Sequence, residues 1–121
     1  MKFALCNEVL QHLSLEDGFS RISEIGYQGV EIAPFTLREN PLEINESDAE
    51  RCVEAAKSAE IEIVGLHWLM AKTEGLHLTH PDEGMRQAAC EYLKKLAILT
   101  SKMGGKIMVL GSPQQRNFEP G

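Results

Sequence analysis

Two stretches of the sequence carry one pattern, SEIGYQGVEIA at residues 23–33 and SKMGGKIMVLG at residues 101–111. In each, the end of an apolar-periodic helix is followed by glycine and then by a short apolar strand. Residues 57–67 follow the same order without the glycines. A repeated unit of helix, turn and strand is typical of (β/α) barrels, so these stretches predict one.

Outward from these units, the apolar periodicity alternates between strand-like and helix-like. We predict strands at 2–6, 29–33, 62–67 and 106–110, and helices at 15–25, 47–59 and 81–103. Gly26 is the predicted stop of the first helix, Ser47 and Glu50 form a capping box for the second, and Pro81 lies in the first turn of the third. The order β-α-β-α-β-α-β predicts a parallel sheet with right-handed helical crossovers.

Length and composition restrict the class of protein. The chain has 121 residues and a net charge of −6, with 43% hydrophobic and 25% charged residues. These values predict a single globular domain over 1–121 and exclude a disordered chain. Because no apolar run reaches the length of about 18 residues that spans a bilayer, we expect no membrane partner. The acidic charge argues against a nucleic-acid partner.

The three cysteines and the N-terminus bear on the compartment. Cys6, Cys52 and Cys90 are far apart, odd in number and form no CxxC motif, which favours a reducing compartment over a disulfide framework. The first residues read as a strand and not as a signal peptide. We therefore expect a cytoplasmic protein.

Chain length conflicts with a complete barrel. Eight units need about 250 residues, and this chain stops just after the fourth strand. We therefore expect the first four strands of a TIM barrel, a parallel (β/α) half-barrel. Either a longer protein or a second copy completes the sheet, or the sheet is doubly wound and the strand order differs.

Glu31 and His67 are the predicted catalytic residues. Alternation along the second strand places Val30 and Ile32 toward the helices and Glu31 on the opposite face. In the third strand Ile63, Gly65 and His67 share the inner face, with His67 at the carboxyl end where α/β proteins place their sites. The structural alternatives are an internal ion pair for Glu31 and a satisfied core histidine for His67.

Substrate-binding candidates follow the strands. Trp68 is a candidate pocket wall, and His77 lies in the next loop without an evident capping role. His80 is expected at the cap of the third helix. The histidine spacing is not that of a compact metal motif such as HExxH, so spacing predicts no metal ligand.

Polar residues also follow the first and fourth strands. Asn7 and Glu8 lie where the first strand ends, and Asn7 is a predicted substrate ligand. The turn after the fourth strand supplies Ser112, Gln115 and Arg116, of which Arg116 suits a carboxylate or a phosphate. The alternative is a solvated turn. The chain has no Walker A sequence and no GxGxxG motif.

Several segments together resemble the xylose isomerase-like TIM-barrel superfamily and, within it, the sugar phosphate isomerase/epimerase branch. They are VEIA at 30–33, GLHWL at 65–69, GLHLT at 75–79 followed by Pro81 and Asp82, YLKKL at 92–96, and GGKIMVLGSPQQR at 104–116. The resemblance covers essentially the whole chain and the first half of the family's barrel.

The resemblance implies a divalent-metal enzyme, with Mn or Mg and possibly Zn, that moves a proton between neighbouring carbons of a sugar or polyol through an enediolate. Two glutamates on later strands are its acid/base pair and bind the metal with an Asp and a His, so the principal ligands lie outside this chain. The superfamily's AP endonucleases carry a His after strand four, where this chain has Gly111 and Ser112, which argues against DNA repair.

The first hypothesis is therefore an isomerase or epimerase half-barrel acting on a small sugar or polyol and inactive alone. Its partner is a missing C-terminal half-barrel or a second copy, as a homo-oligomer. The alternative is a non-catalytic, self-associating α/β module that binds a small polyol or sugar. A third interpretation, a flavodoxin-like domain, requires strand order 2-1-3-4 and helices on both faces of the sheet.

Overall fold

The computed structural model describes residues 1–118 and shows one sheet of four parallel strands in the order β1-β2-β3-β4. This order confirms the parallel half-barrel and shows that the flavodoxin-like order is wrong. The strands are β1 Ala4–Cys6, β2 Gly29–Ile32, β3 Glu62–His67 and β4 Ile107–Val109. The helices are α1 Leu15–Ile25, α2 Glu46–Ser58 and α3 Glu83–Lys102. Across residues 1–118, no helix has the combined length and hydropathy that a bilayer span requires.

Local signals at both ends determine helix α1, which has the predicted bounds. The Ser14 hydroxyl accepts a hydrogen bond from the Asp17 amide at 3.1 Å, satisfying one free donor of the first turn. Gly26 follows the last turn with a φ of +106°, a left-handed conformation that glycine adopts without a steric penalty.

The other two helices begin at residues that differ from the prediction. Asn45, and not Ser47, caps α2: its side chain accepts from the Ser47 amide at 2.9 Å, and Asp48 accepts from the Asn45 amide at 3.0 Å. Asp82 caps α3 by accepting from the Met85 amide at 2.9 Å, which leaves Pro81 outside the helix. In both cases an Asn or Asp near the predicted start takes the cap, a position that these side chains favour.

The hydrophobic core lies between the three helices and one face of the sheet. Phe19, Ile22, Val30, Ile32 and Leu96 are completely buried there. Apolar residues on the helices and on the strands thus cover each other, as in the outer layer of a (β/α) barrel.

The register between β2 and β3 shifts by one residue. Val30 pairs with Ile63, whereas Glu31 pairs with Gly65, so Val64 is an extra residue in β3. The prediction that Ile63 lies on the inner face is wrong, since Ile63 packs against the core. Val64 lies instead on the opposite face, where its Cγ2 would be 2.9 Å from a Cβ at Gly29. An inserted residue reverses the alternation of side chains beyond it.

The second face of the sheet, here called the open face, carries Ala4, Glu31, Val64, His67 and Ile107. Its residues are partly or largely exposed, and Ile107 retains 49% of its accessible surface. Within the part of the chain that the structure describes, β1 and β4 pair on one side only. The open face and these two edges are the surfaces that a complete barrel covers.

Candidate functional site

The carboxyl ends of β2 and β3 bring two ionisable side chains together on the open face. His67 Nδ1 lies 3.4 Å from Glu31 Oε2, and each side chain is 28% exposed. The extra residue Val64 produces this arrangement, because without it the alternation in β3 would direct His67 toward the core. The two predicted catalytic residues are therefore adjacent in the fold.

The His67 ring nitrogen is close to the carboxylate but poorly aligned with it. Nδ1 is buried and makes no hydrogen bond within residues 1–118. A buried polar atom without a partner costs about 1–3 kcal/mol, so a small shift that aligns the Glu31 carboxylate with Nδ1 would recover that free energy. Glu31 and His67 together offer a carboxylate and an imidazole to one bound molecule.

Gly65 allows the close approach of β3 to β4 beside this pair. A Cβ at Gly65 would lie 1.8 Å from the carbonyl oxygen of Ile107, so only glycine fits there. A Cβ at Gly111, just after β4, would lie 4.0 Å from His67 Nε2. The chain that leaves β4 therefore passes beside the second nitrogen of the His67 ring.

Trp68, directly after β3, has a left-handed backbone with a φ of +56°. This conformation costs about 1–2 kcal/mol in a residue with a side chain. The indole Nε1 donates to Glu8 Oε1 at 3.2 Å, and the rings of Trp68 and His67 meet edge to face with centroids 5.6 Å apart. Backbone strain of this kind concentrates at functional sites. Trp68 thus lies beside His67 of the Glu31–His67 pair, and its role as a pocket wall stays a prediction.

Asn7 is placed inside the fold, at the start of the 3-10 turn Asn7–Leu10. Its Nδ2 donates to Thr36 Oγ1 at 2.7 Å, and its Oδ1 accepts from the Ala33 amide at 2.9 Å. The side chain is buried and joins the chain after β1 to the chain after β2. Substrate binding by Asn7 stays a prediction, and the structure gives its amide a structural role.

The predicted ligands after β4 join two loops. Ser112 is 2% exposed and its Oγ accepts from the Met70 amide at 3.0 Å. The carbonyl oxygen of Gln115 accepts from the Leu78 amide at 2.7 Å. Arg116 is exposed at the end of the 3-10 turn Pro113–Gln115. Of these three residues, Arg116 is exposed, Gln115 is partly exposed and Ser112 is buried.

The two loop histidines each accept a hydrogen bond from a backbone amide. His77 Nδ1 accepts from Thr79 at 3.2 Å and His80 Nδ1 accepts from Asp82 at 3.0 Å. His80 therefore lies just before the cap of α3 and shapes its first turn. The two rings are 5.7 Å apart, so the structure groups His77 with His80 at the start of α3.

The structure adds Glu8 to the site as the partner of Trp68. The sequence indicated only that Glu8 follows a strand end, because the two residues are 60 positions apart and no local spacing relates them. The strand order brings the ends of β1 and β3 to the same edge of the sheet, and this was the signal that could have related Glu8 to Trp68.

The resemblance implies a metal-dependent enzyme, so the described residues can be compared with the ligands that a metal site needs. Over residues 1–118, no three His, Cys, Asp or Glu side chains converge to hold a metal ion. Glu31 and His67 contribute two donors, fewer than the ligands that catalytic metal sites use. The described residues therefore do not form a complete metal site.

Comparisons with known proteins agree with this architecture. The family model described as xylose isomerase-like TIM barrel matches residues 19–120. No curated protein matches the chain. A solved structure of D-psicose 3-epimerase, determined in the presence of D-fructose, superposes with a TM-score of 0.65 at 15% identity. The alignment covers 86% of this chain and 35% of that one, so this chain spans about a third of its structural neighbour.

Proposed function

The chain belongs to the xylose isomerase-like TIM-barrel family, and from this premise we propose that it supplies the substrate-facing N-terminal half of a sugar isomerase or epimerase. One observation carries the proposal: the Glu31 carboxylate and the His67 imidazole lie together on the open face, with His67 Nδ1 3.4 Å from Glu31 Oε2 and each side chain 28% exposed. The general rule that parallel barrels bind substrate at the carboxyl ends of their strands supports this role for the pair.

The chemistry of the pair suits a polyhydroxy carbonyl compound. A carboxylate accepts hydrogen bonds from two hydroxyls, and the imidazole donates to a carbonyl oxygen or accepts from a hydroxyl, according to its tautomer. Trp68 supplies an aromatic surface against which the C–H groups of a sugar pack. Arg116, exposed after β4, is suited to an anionic group such as a sugar phosphate.

The proposed reaction is proton transfer beside a carbonyl. A base removes the proton from the carbon next to the carbonyl, electrons shift to the carbonyl oxygen, and the enediolate takes a proton back on the neighbouring carbon or on the opposite face. Glu31 and His67 orient the substrate and hold protons on its oxygens. The resemblance assigns the carbon acid/base pair to later strands, so we expect this chain to be inactive alone.

A partner that completes the barrel is part of the proposal. The open face ends at β4 in Ile107, which is 49% exposed, and Phe3 before β1 is 54% exposed. Apolar side chains beside unpaired strand edges favour pairing with further strands. A C-terminal half-barrel is the first choice of partner, since the alignment leaves most of the structural neighbour uncovered. A second copy is the alternative, and it corresponds to the self-associating module.

The deciding experiment measures binding and turnover in the same samples. Ketohexoses and ketopentoses are titrated into the chain by calorimetry, with Mn²⁺ or Mg²⁺ present and absent, and products are followed by chromatography. We expect binding without turnover, and loss of one hydrogen bond to a charged group in Glu31→Gln weakens binding by about tenfold. Glu39→Gln, in the exposed loop after β2, is the matched control. Equal affinity in Glu31→Gln, His67→Gln and wild type contradicts the proposed site.

Turnover tests the expected inactivity of the isolated chain, and the mass of the chain in solution identifies its partner. A rate in the isolated chain that disappears in Glu31→Gln contradicts its expected inactivity and makes Glu31 part of the chemistry. Light scattering separates the partners: a dimer indicates two copies closing one barrel, and a monomer indicates that the C-terminal half is required.

A further inference from the structure

Trp68 is the single tryptophan of the chain, and local contacts hold its backbone in place. Its backbone turns through the left-handed region at a φ of +56°, and its carbonyl oxygen accepts from the Ala71 amide at 3.0 Å. The following side chains, Leu69 and Met70, are buried in the core. These contacts determine where the backbone lies, and none of them involves the indole ring.

The orientation of the indole depends on Glu8. Nε1 is the one polar atom of the ring, and it donates to Glu8 Oε1 at 3.2 Å. Glu8 belongs to the 3-10 turn Asn7–Leu10 after β1, whereas Trp68 follows β3. The bond therefore crosses the mouth of the sheet above β2, the strand that carries Glu31.

The Trp68 indole in turn lies beside His67, one of the two predicted catalytic residues. Trp68 meets His67 edge to face, with ring centroids 5.6 Å apart and an angle of 62° between the ring planes. Edge-to-face pairs at this distance are favoured by about 0.5–1.5 kcal/mol, so the indole favours this orientation of the imidazole. A rotated indole would remove that contact and the wall beside the Glu31–His67 pair.

We propose that Glu8 is a positioning residue of the substrate face: its carboxylate fixes the Trp68 indole across the mouth of the sheet, and the indole holds His67 in place. Glu8 acts through Trp68 and not through the substrate. The inference deepens the proposed function, on which it rests for the sugar that the ring would contact. The Glu8–Trp68 bond itself exists without a sugar.

The first test uses the unmodified chain. A single tryptophan gives a single indole N–H resonance in a ¹⁵N spectrum. We expect its proton to exchange with solvent at least about tenfold more slowly than that of a free indole, because a hydrogen-bonded proton must be released before it exchanges. Exchange at the free rate would overturn the proposal without the need for a variant.

The second test compares three variants by tryptophan fluorescence. Glu8→Ala removes the acceptor, so we expect a red-shifted emission and an acrylamide quenching constant raised about twofold as the ring becomes mobile. Glu8→Gln retains an oxygen that accepts from Nε1 and restores wild-type values. Glu74→Ala removes an equal charge from the exposed loop after β3 and changes neither. Unchanged emission in a Glu8→Ala protein that still melts cooperatively would overturn the proposal.

The third test adds D-fructose and separates this inference from the proposed function. Trp68 emission follows the titration, and we expect affinity to fall at least about fivefold in Glu8→Ala and to stay within about twofold of wild type in Glu8→Gln. If D-fructose leaves wild-type emission unchanged while the variants keep their fluorescence differences, the positioning role stands and sugar binding fails. If D-fructose binds wild type and Glu8→Ala equally, sugar binding stands and the positioning role fails.

Discussion

The two faces of the sheet are built differently. The face toward the helices carries Val30 and Ile32, both fully buried. The open face carries a partly exposed carboxylate and imidazole at one end and the half-exposed Ile107 at its edge. Burial of apolar surface is the main source of stability, so stability is concentrated on the first face. On the second face, His67 Nδ1 has no hydrogen-bond partner among the described residues, and Glu31 and His67 remain partly exposed.

The largest expected effect is a core truncation on the helix-facing side. Ile32→Ala removes a fully buried side chain and should lower the free energy of unfolding by about 4 kcal/mol, through lost transfer energy and a cavity. Ile107→Ala on the open face is the matched control and should cost under about 1 kcal/mol, since Ile107 is already 49% exposed. Urea unfolding measures both. Similar losses would mean that the open face is covered in solution, as in a dimer.

A second prediction concerns the close contact between the paired strands β3 and β4. Gly65→Ala places a Cβ 1.8 Å from the Ile107 carbonyl oxygen, and the required backbone shift should cost about 3 kcal/mol. Gly18→Ala is the control, because its Cβ in α1 would meet only Leu10 Cβ at 3.9 Å. There the better helix propensity of alanine should raise stability by about 0.5–1 kcal/mol. A Gly65→Ala protein as stable as wild type would contradict the observed closeness of the strands.

The third prediction compares a thiol in the hydrophobic core, Cys52, with an exposed thiol, Cys90. Burial, reinforced by the charge of Asp48, raises the pKa of Cys52 to about 12. In the unfolded chain the thiol ionises from about pH 9, so the unfolded state then binds fewer protons than the native state. The free energy of unfolding therefore falls by about 1.4 kcal/mol per pH unit between pH 9 and pH 12.

Urea unfolding at pH 8 and pH 10 of wild type, Cys52→Ala and Cys90→Ala measures this effect. Cys52→Ala should lose much of the pH dependence. Cys90→Ala should keep it, because Cys90 is exposed. An equal slope in all three proteins would show that Cys52 ionises normally in the native state.

The smallest expected effect is on the open face itself. Glu31→Gln should change the free energy of unfolding by less than about 0.5 kcal/mol, because the carboxylate is partly solvated and poorly aligned with His67. Thermal unfolding beside the binding titration checks this. A loss above 2 kcal/mol would make the pair structural, which is the alternative that the sequence left open.

Prediction from the sequence succeeded where local chemistry determines the structure. Helix α1 has its predicted bounds because Ser14 and Gly26 are strong cap residues on either side of an apolar stripe. The predicted start of α2 was wrong because Asn45 and Ser47 are both good cap residues. Asn45 is the cap in the structure because the Asp48 side chain accepts a hydrogen bond from the Asn45 amide.

The roles of the predicted site residues stay predictions, and the geometry that relates these residues was not predictable from the sequence. The carboxyl-end rule selected Glu31 and His67, which the structure brings within 3.4 Å of each other, yet the assumed alternation in β3 was wrong at Ile63. Register depends on how two strands pair, and a single sequence does not show an inserted residue such as Val64. The contact between Glu8 and Trp68 spans 60 positions and requires the tertiary fold.

The hydrogen bonds between the loops after β3 and β4 mean that these two loops can be exchanged between proteins only together. Leu78 donates to the Gln115 carbonyl oxygen, and the Met70 amide donates to Ser112. Each loop therefore supplies donors or acceptors that the other needs, and neither is an independent module. A chimera that exchanges one of them between members of the family should lose the conformation of both, whereas a paired exchange should transfer the rim of the site intact.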